Sequence, residues 1–196
     1  LNLETLEIET FNHSECAFGD RESVFKNALK DKYIITSVCF KLKKAPHFLH
    51  ISYGAIQQEL DANNIQNPSI KDVSNAVIAI RESKLPNPKE IGNSGSFFKN
   101  PIISKVLYHQ LLEKNAEIPH YPVNETEVKV PAGWLIEQAG LKGYRKGDAG
   151  VHTKQALVLV NYGTATGQEL IDMAKYVQET VFQKFGIQIN PEVNII

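Results

Sequence analysis

The sequence predicts an α+β fold, and three observations support that class. Two capping boxes, Ser69 with Asp72 and Thr166 with Glu169, each predict the start of a helix. The run of β-branched and aromatic residues at 33–42 predicts a strand. Two prolines within three residues then interrupt the chain shortly after the first capped helix. Helices and strands therefore alternate within two sections of the chain.

The composition is that of an ordinary globular protein. Hydrophobic residues make up 42% and charged residues 22% of the 196 residues, and the formal net charge is −1. This balance argues against nucleic-acid binding, which favours a basic excess. Cys16 and Cys39 have no metal-ligand spacing, no apolar run is long enough to span a membrane, and no signal peptide opens the chain. We expect a soluble, cytoplasmic protein without a metal site.

The first section is expected to contain a short strand, a helix, a second strand and a longer helix. The opening strand covers 3–8, and the first helix covers 22–29. The strand at 33–42 ends near Pro46. The longer helix begins after Ser69 and ends before residue 85, because the prolines prevent its continuation. Its apolar positions recur at helical spacing: Ile70, Val73, Val77 and Ile80.

The second section is expected to form its own α+β unit. Its long last helix begins after Thr166 and ends at Gly186, because glycine favours the left-handed conformation that terminates helices. The apolar stripe predicted for this helix consists of Leu170, Ile171, Ala174, Val177, Val181 and Phe182. The other predicted elements are a helix at 106–112, strands at 128–130, 156–160 and 187–189, and a helix at 134–139 ended by Gly140.

The stretch at 92–101, GNSGSFFKNP, is the most informative candidate for chemistry. Its two glycines permit unusual backbone angles and close approach by a ligand. One interpretation is a turn that holds a hydroxyl against a ligand. The other is a glycine-rich turn with Phe97 and Phe98 as core anchors, which is common in proteins. The spacing matches neither GxxxxGK[ST] nor GxGxxG.

Three further features are open to two interpretations each. Arg21 follows a glycine turn and is able to bind a carboxylate in a bidentate manner, or to pair with a neighbouring acid on the surface. The stretch at 140–152 combines four glycines with basic residues, which suits a phosphate or a solvated loop. Glu192 is a single carboxylate near the end of the chain and has no pattern of its own.

Taken together, four stretches resemble the UDP-N-acetylenolpyruvoylglucosamine reductase (MurB) family. They are GSFFKNP at 95–101, AGWLIEQAGLKG at 132–143, VHTKQALVLVN at 151–161 and NPEV at 190–193. The resemblance covers essentially the whole chain. It implies a peptidoglycan-precursor enzyme in which NADPH reduces FAD and the flavin reduces the enolpyruvyl ether of a UDP-sugar, with roles in cell-wall biogenesis, cell shape and cell division.

The resemblance also implies a domain organisation. Residues 1–84 are expected to form part of the second lobe of an FAD-binding, PCMH-like domain. Residues 85–186 are expected to form the substrate-binding C-terminal α+β domain, and residues 187–196 a strand that returns to the FAD-binding domain. The family's glycine-rich FAD-binding segments have no counterpart here. We therefore expect an incomplete FAD site and little activity from this chain alone.

Residue roles follow from the same resemblance. Ser96 matches the family's general acid, and Arg21 and Glu192 match the pair around the substrate carboxylate and the enolate intermediate. Arg81 is the candidate on the cofactor side. The residues that match substrate contacts are Tyr53, Lys84, Asn100, Tyr121, Lys142 and Gln155. Among them, Tyr121 is expected to close over the uridine diphosphate and Lys142 to contact the pyrophosphate.

Two other functions remain open at this point. A non-catalytic α+β module would bind a UDP-sugar without a flavin. A different flavoenzyme of the same superfamily would not need Ser96, Arg21 and Glu192 together. The expected partner is the UDP-sugar substrate, with neither nucleic acid nor membrane, and the sequence does not indicate an oligomeric state.

Overall fold

The computed structural model describes residues 1–19, 21–52, 54–115 and 117–195. Contacts divide the chain into two compact units, Leu1–Phe48 and Leu49–Ile196. All the α-helices and multi-residue strands found among the described residues belong to the second unit. Within those residues, no helix combines the length and apolarity that crossing a bilayer requires.

The first unit is organised around one aromatic cluster. Phe11, Phe25 and Tyr33 pack edge to face, with ring centroids 5.1 to 6.1 Å apart. Asn2 and Tyr33 form an isolated antiparallel bridge, which ties the start of the chain to this cluster. A single turn of 3-10 helix, Val24–Lys26, follows the middle of the unit.

Two predictions for this unit are wrong. The strand expected at 3–8 does not form, because Leu6 adopts a left-handed φ of 61° that is incompatible with an extended strand. The helix expected at 22–29 is reduced to the Val24–Lys26 turn. That turn buries none of its residues, and a short helix without tertiary packing is unstable in water.

The strand predicted at 33–42 is also wrong. After Tyr33 the segment is irregular, and its apolar side chains are exposed, Phe40 to 77% and Leu42 to 81%. β-Branched and aromatic residues favour a strand only when a neighbouring strand and a core cover them. Among the described residues no strand pairs with this segment, so its propensity is not realised.

The second unit begins with two helices, α1 (Ile56–Ala62) and α2 (Ile70–Lys84). The predicted capping box is confirmed, with the Ser69 amide donating to Asp72 Oδ2 at 2.8 Å and the Asp72 amide donating to Ser69 Oγ at 3.3 Å. Helix α2 ends at Lys84, before the prolines, as predicted. The two helices pack around a small cluster of Ile56, Leu60 and Ala76.

A four-stranded antiparallel sheet forms the centre of the second unit. Its strand order is β1-β7-β6-β5, with β1 at Gly92–Ser96, β5 at Arg145–Lys146, β6 at Ala149–Val151 and β7 at Val158–Asn161. The strand predicted at 156–160 is confirmed as β7, shifted towards the C-terminus by one or two residues. Val158 and Val160 are completely buried, so β7 is a core strand.

The last helix, α5 (Gly167–Phe185), packs against β6 and β7. Its predicted capping box between Thr166 and Glu169 is confirmed, and Gly186 ends it with a left-handed φ of 66°. The predicted stripe is correct for Val177 and Val181 but wrong for Phe182, which is 53% exposed. The buried face continues to Phe185 instead, so Phe182 lies beside it.

A second antiparallel sheet has the strand order β2-β4-β3, and two helices accompany it. The helices predicted at 106–112 and 134–139 and the strand predicted at 128–130 are confirmed to within two residues. Buried residues of both sheets belong to one core that includes Val130, Leu135 and Ile136. The elements are β2 (Ile102–Ser104), α3 (Lys105–Leu112), β3 (Tyr121–Pro122), β4 (Glu127–Lys129) and α4 (Ala132–Gln138).

Candidate functional site

Ser96 is the last residue of β1, and the backbone just before it is irregular. Strand β1 pairs with β7, but its register breaks between Asn93 and Ser96, which lies opposite Val158. Asn93 Oδ1 accepts a hydrogen bond from the Gly95 amide at 3.0 Å, and Gly95 has a φ of 74°. A glycine takes that conformation without the strain a side chain would cause. The turn leaves Ser96 exposed at the end of the strand.

The two phenylalanines after Ser96 anchor this turn in the core. Phe97 and Phe98 are buried, and their rings meet edge to face with centroids 5.0 Å apart. The Phe97 amide donates to the Leu157 carbonyl at 2.7 Å. The two interpretations of the glycine-rich stretch are therefore compatible, because the core anchors themselves hold an exposed hydroxyl in a fixed position.

The end of the chain returns to the same place. The Glu192 amide donates to the Phe97 carbonyl at 2.7 Å, and the Lys99 amide donates to the Asn190 carbonyl at 2.8 Å. These bonds flank an isolated antiparallel bridge between Phe98 and Pro191. Glu192 is thus hydrogen-bonded to the residue that follows Ser96, although almost a hundred residues separate them in sequence.

The strand predicted at 187–189 has a different form. Ile187 and Ile189 are buried, as a core strand would require, but the predicted strand is wrong because the segment is not part of a ladder. Among the described residues, the bridge nearest to it is the one that follows at Pro191. The isoleucines therefore fix the segment by packing, and the bridge sets the position of Glu192.

Asn100 joins this region to the start of α4. Its Oδ1 accepts a hydrogen bond from the Ala132 amide at 2.9 Å. Pro131, at the N-cap position of α4, makes no side-chain capping bond. Asn100 thus satisfies, from a distant point in the sequence, the amide of the first residue of α4, which has no acceptor within the helix.

Gln155 lies in the turn that leads into β7. Its carbonyl accepts a hydrogen bond from the Val158 amide at 3.0 Å, which closes the turn. A Cβ built on Gly133 would lie 3.5 Å from Gln155 Oε1, so the Gln155 side chain passes close to the backbone of α4. Glycine at 133 leaves room for that approach.

Four predicted site residues thus come from segments that meet around the backbone of Phe97. We call this region the Ser96 junction and define it by residues 95–101, 155–158 and 190–192. The segments are far apart in the chain, and paired backbone groups hold them together. The predicted residues within it are Ser96, Asn100, Gln155 and Glu192.

Other elements carry the remaining predicted residues of the second unit. Lys142 forms an ion pair with Glu137, with Nζ and Oε1 2.9 Å apart. Tyr121 lies on the edge strand β3 with its side chain exposed. Arg81 and Lys84 are exposed in the last turn of α2. Tyr53 lies outside the described residues, so its role stays a prediction.

Arg21 belongs to the first unit. Gly19 and Glu22 exchange backbone hydrogen bonds of 2.9 and 3.3 Å, and Arg21 between them has a φ of 63°. The Arg21 carbonyl accepts a hydrogen bond from Lys26 Nζ at 3.0 Å. The tight turn after a glycine is as expected. Its use together with Ser96 and Glu192 stays a prediction.

The glycine-rich stretch at 140–152 forms the hairpin β5–β6, and a polar network fixes it. Asp148 accepts hydrogen bonds from the amide and hydroxyl of Thr164 at 2.8 and 3.0 Å and from Arg145 Nη2 at 2.7 Å. The Thr164 donors, followed by Arg145, lower the pKa of Asp148. The Arg145 guanidinium lies 4.3 Å from the ring centre of Tyr162. Arg145 therefore serves the hairpin itself.

His152 is a residue that sequence reasoning passed over. Its Nδ1 is buried and has no hydrogen-bond partner among the described residues. Burial, and to a smaller extent the charge of Lys154, lowers the pKa of His152. No sequence signal distinguishes this histidine from the other five, because its property arises from packing at the end of β6.

A cleft of about 450 Å³ lies elsewhere, between the β5–β6 hairpin and α5. Tyr144 and Tyr176 stack in it with ring centroids 5.1 Å apart, and Glu169 and Asp172 also line it. None of the predicted site residues that the structure describes lines this cleft. In the described ranges, no group of three or more His, Cys, Asp or Glu side chains is placed to hold a metal ion.

Comparison with known proteins identifies the class of this α+β unit. Residues 87–196 match the family model described as UDP-N-acetylenolpyruvoylglucosamine reductase, C-terminal domain. The match includes the whole Ser96 junction and covers more than half of the chain. The chain therefore belongs to the UDP-N-acetylenolpyruvoylglucosamine reductase family.

Individual relatives carry the same name. The UDP-N-acetylenolpyruvoylglucosamine reductase of Flavobacterium johnsoniae is 64% identical over 196 residues, which are 100% of this chain and 58% of that protein. The one from Chromobacterium violaceum is 50% identical over 190 residues, which are 97% of this chain and 55% of that protein. The chain thus spans somewhat more than half the length of these relatives.

A solved structure of the same name, from Thermus caldophilus, also matches. The match covers 64% of this chain and 33% of that one, at 23% identity and a TM-score of 0.40.

Proposed function

We propose that this chain forms part of a UDP-N-acetylmuramate dehydrogenase, which reduces the enolpyruvyl ether of UDP-N-acetylenolpyruvoylglucosamine during peptidoglycan precursor synthesis in the cytoplasm. Family membership supports the class of reaction. The observation that carries the proposal is the Ser96 junction, where Ser96, the predicted acid, and the side chain of Glu192 belong to segments that are hydrogen-bonded to each other.

Ser96 is the proposed general acid, which donates its hydroxyl proton to the substrate carbon. A serine hydroxyl is a weak acid, so its contribution depends on a fixed position next to the reacting atom. The structure offers a reason for such a position. Ser96 stands between the Gly95 turn and two buried phenylalanines, and the backbone on both sides is hydrogen-bonded.

Glu192 and Arg21 are proposed to act around the substrate carboxylate and the enolate. The Glu192 amide is fixed by the Phe97 carbonyl, so the start of its side chain has little freedom. Preorganised groups stabilise a transition state more than mobile ones do, because no reorganisation is needed during the reaction. Arg21 would contribute the positive charge that attracts the substrate carboxylate and the enolate.

Substrate binding is proposed to use residues from several separate segments of the chain. Asn100 and Gln155 belong to the Ser96 junction, and their amide groups suit a sugar or diphosphate. Lys142 and Lys84 provide positive charge for the pyrophosphate. Tyr121 provides an exposed ring for the uridine end, and Tyr53 is retained as a further contact.

FAD and NADPH are the proposed cofactors of the complete reaction. Arg81, the candidate on the cofactor side, is exposed on α2 and lines neither the cleft beside α5 nor the smaller cleft between α1 and α2. Neither of these clefts therefore places Arg81 beside a space for a flavin. No catalytic step through the cofactor is therefore assigned to this chain, and the proposed FAD site would require further residues.

Ser96→Ala tests the proposal in a preparation that holds bound FAD. We expect oxidation of the reduced flavin by UDP-N-acetylenolpyruvoylglucosamine to slow by about 10²–10⁴-fold, the range of general acid–base catalysis. Reduction of the flavin by NADPH is expected to be unchanged, because it does not use the serine proton. Stopped-flow absorbance measures the two half-reactions separately.

Ser94→Ala is the matched control, because Ser94 is also exposed on β1, two residues before Ser96. It should leave both half-reactions intact. Equal loss of both half-reactions in Ser96→Ala, or none, would contradict the general-acid role. Binding of the UDP-sugar without any flavin oxidation in the unsubstituted protein would favour a non-catalytic binding module.

A further inference from the structure

A buried tyrosine hydroxyl is hydrogen-bonded to the segment that precedes Tyr121. Tyr108 lies on α3 and is 6% exposed. Its Oη lies 3.3 Å from the Ile118 carbonyl and 2.8 Å from Nδ1 of His120. The Tyr108 and His120 rings also stack at a tilt, with centroids 4.5 Å apart. One side chain of α3 therefore contacts two residues of the segment just before Tyr121.

The donors and acceptors of this contact form a consistent set. The Ile118 carbonyl only accepts, so the single hydroxyl hydrogen of Tyr108 is directed to it. The hydroxyl oxygen then accepts a hydrogen bond from His120 in the tautomer that carries hydrogen on Nδ1. In this arrangement His120 donates to Tyr108, and Tyr108 donates to Ile118.

Tyr121 depends on such an anchor because its own strand is minimal. Strand β3 has two residues, and one of them, Pro122, has no amide hydrogen to donate. Among the strands that the structure describes, β3 lies at the sheet edge and pairs with β4 alone. After β3, the Asn124 side chain accepts hydrogen bonds from the Thr126 and Glu127 amides and so fixes the following turn. Before β3, the corresponding constraint comes from Tyr108.

We propose that Tyr108 and His120 are positioning residues that hold Tyr121 for contact with the nucleoside diphosphate of the substrate. The Tyr121 side chain is 60% exposed, so its orientation is set by the backbone on either side of it and not by burial. Losing the hydroxyl of Tyr108 releases the preceding segment and allows Tyr121 to move. This inference rests on the proposed function, because it assigns Tyr121 a ligand.

A double-mutant cycle on the full chain tests the inference, with uridine diphosphate as the probe and calorimetry as the measurement. Tyr108→Phe is expected to weaken binding about five-fold, the loss associated with one hydrogen bond. In a Tyr121→Ala background the same change should have no further effect, because its target is gone. His120→Leu should resemble Tyr108→Phe. His120→Asn keeps a hydrogen-bond donor near the Nδ1 position, so it should bind uridine diphosphate more tightly than His120→Leu and about as tightly as the unsubstituted chain.

Amide hydrogen exchange provides a readout that needs no ligand. Tyr108→Phe should accelerate exchange at the Val123 amide, which donates to the Glu127 carbonyl at 3.2 Å, but not at the Val130 amide in the core. Tyr176→Phe, on the exposed side of α5, is the control for losing a tyrosine hydroxyl.

The two readouts separate the possible failures. An equal loss of affinity in both Tyr121 backgrounds, or unchanged exchange at Val123, would overturn the positioning role of Tyr108. An unsubstituted chain that does not bind uridine diphosphate would count against the proposed function. The exchange rates would then still decide whether Tyr108 anchors the segment.

Discussion

Asn100→Ala should destabilise the second unit through the start of α4. The Asn100 Oδ1 accepts the Ala132 amide at 2.9 Å, and Pro131 provides no side-chain alternative. Ala132 is 0% exposed, so water is poorly placed to replace the lost acceptor. Loss of a helix cap that leaves a buried amide unsatisfied costs about 1–2 kcal/mol. For a unit of this size the Tm should fall by about 2–8 °C.

The chain carries a suitable probe for this measurement. Its single tryptophan, Trp134, lies in α4 and packs against Phe185 with ring centroids 5.9 Å apart. Urea unfolding followed by Trp134 fluorescence therefore reports on the helix whose cap is removed. The denaturation midpoint should decrease while the slope of the transition stays constant, since the surface exposed on unfolding is unchanged.

Asn100→Asp separates the structural role from the proposed binding role. The carboxylate keeps an oxygen acceptor for Ala132 and should retain most of the stability, but it loses the amide donors. It also adds negative charge where a UDP-sugar is proposed to bind, so affinity should fall in a folded protein. The stabilising role of Asn100 would be contradicted if Asn100→Asp were as unstable as Asn100→Ala, or if Asn100→Ala unfolded at the wild-type urea concentration.

Three further predictions concern packing and charge. Val177→Ala should lower the free energy of unfolding by about 2 kcal/mol because Val177 is completely buried, whereas Phe182→Ala should lower it much less. Urea unfolding that ranks the two variants in the opposite order would contradict the observed buried face of α5. Gly150→Ala should lower the free energy of unfolding by about 1–3 kcal/mol, because the new Cβ would meet a ring carbon at 2.9 Å and a backbone oxygen at 3.0 Å. Gly167→Ala is the control, because its Cβ would meet nothing within 4 Å, and it should unfold in urea like the wild type. The pKa of Asp148 is lowered from 3.8, so the stabilisation by the Asp148 carboxylate is present above that value and is lost as the pH falls through the lowered pKa. The difference in Tm between the wild type and Asp148→Asn, measured by calorimetry, should therefore be largest at neutral pH and vanish in acid.

Local signals predicted α2, α3, α4 and α5 of the second unit, whereas α1 was not predicted. The capping boxes at Ser69 and Thr166 form as expected, and Gly186 ends α5 in the left-handed conformation. Each of these signals is complete within a few residues, because the donor, the acceptor and the apolar stripe are all neighbours along the helix. The wrong prediction that Phe182 belongs to the buried stripe shows the limit of such local patterns, because apolar character alone does not show which side of the stripe is buried.

The strand predicted at 33–42 failed for the opposite reason. Its β-propensity is high, but a strand is completed by hydrogen bonds to another segment, which no local pattern supplies. Among the described residues, Tyr33 pairs with Asn2 by a single bridge, and the apolar side chains that follow are left exposed. Residues 33–42 therefore have the composition of a strand. Beyond the bridge at Tyr33, however, no described segment of the first unit pairs with them.

The candidate site depends on long-range pairing to an even greater degree. Spacing alone did not separate a catalytic stretch at 92–101 from an ordinary turn, and Glu192 had no pattern at all. The resemblance named both residues, but the reason they belong together is a hydrogen bond from the Glu192 amide to the Phe97 carbonyl. That bond exists because Phe97, Phe98 and the 187–189 segment share one core. The core that stabilises the unit therefore also holds the backbone around Ser96 close to that of Glu192, and weakening it should reduce the proposed catalysis before the unit unfolds.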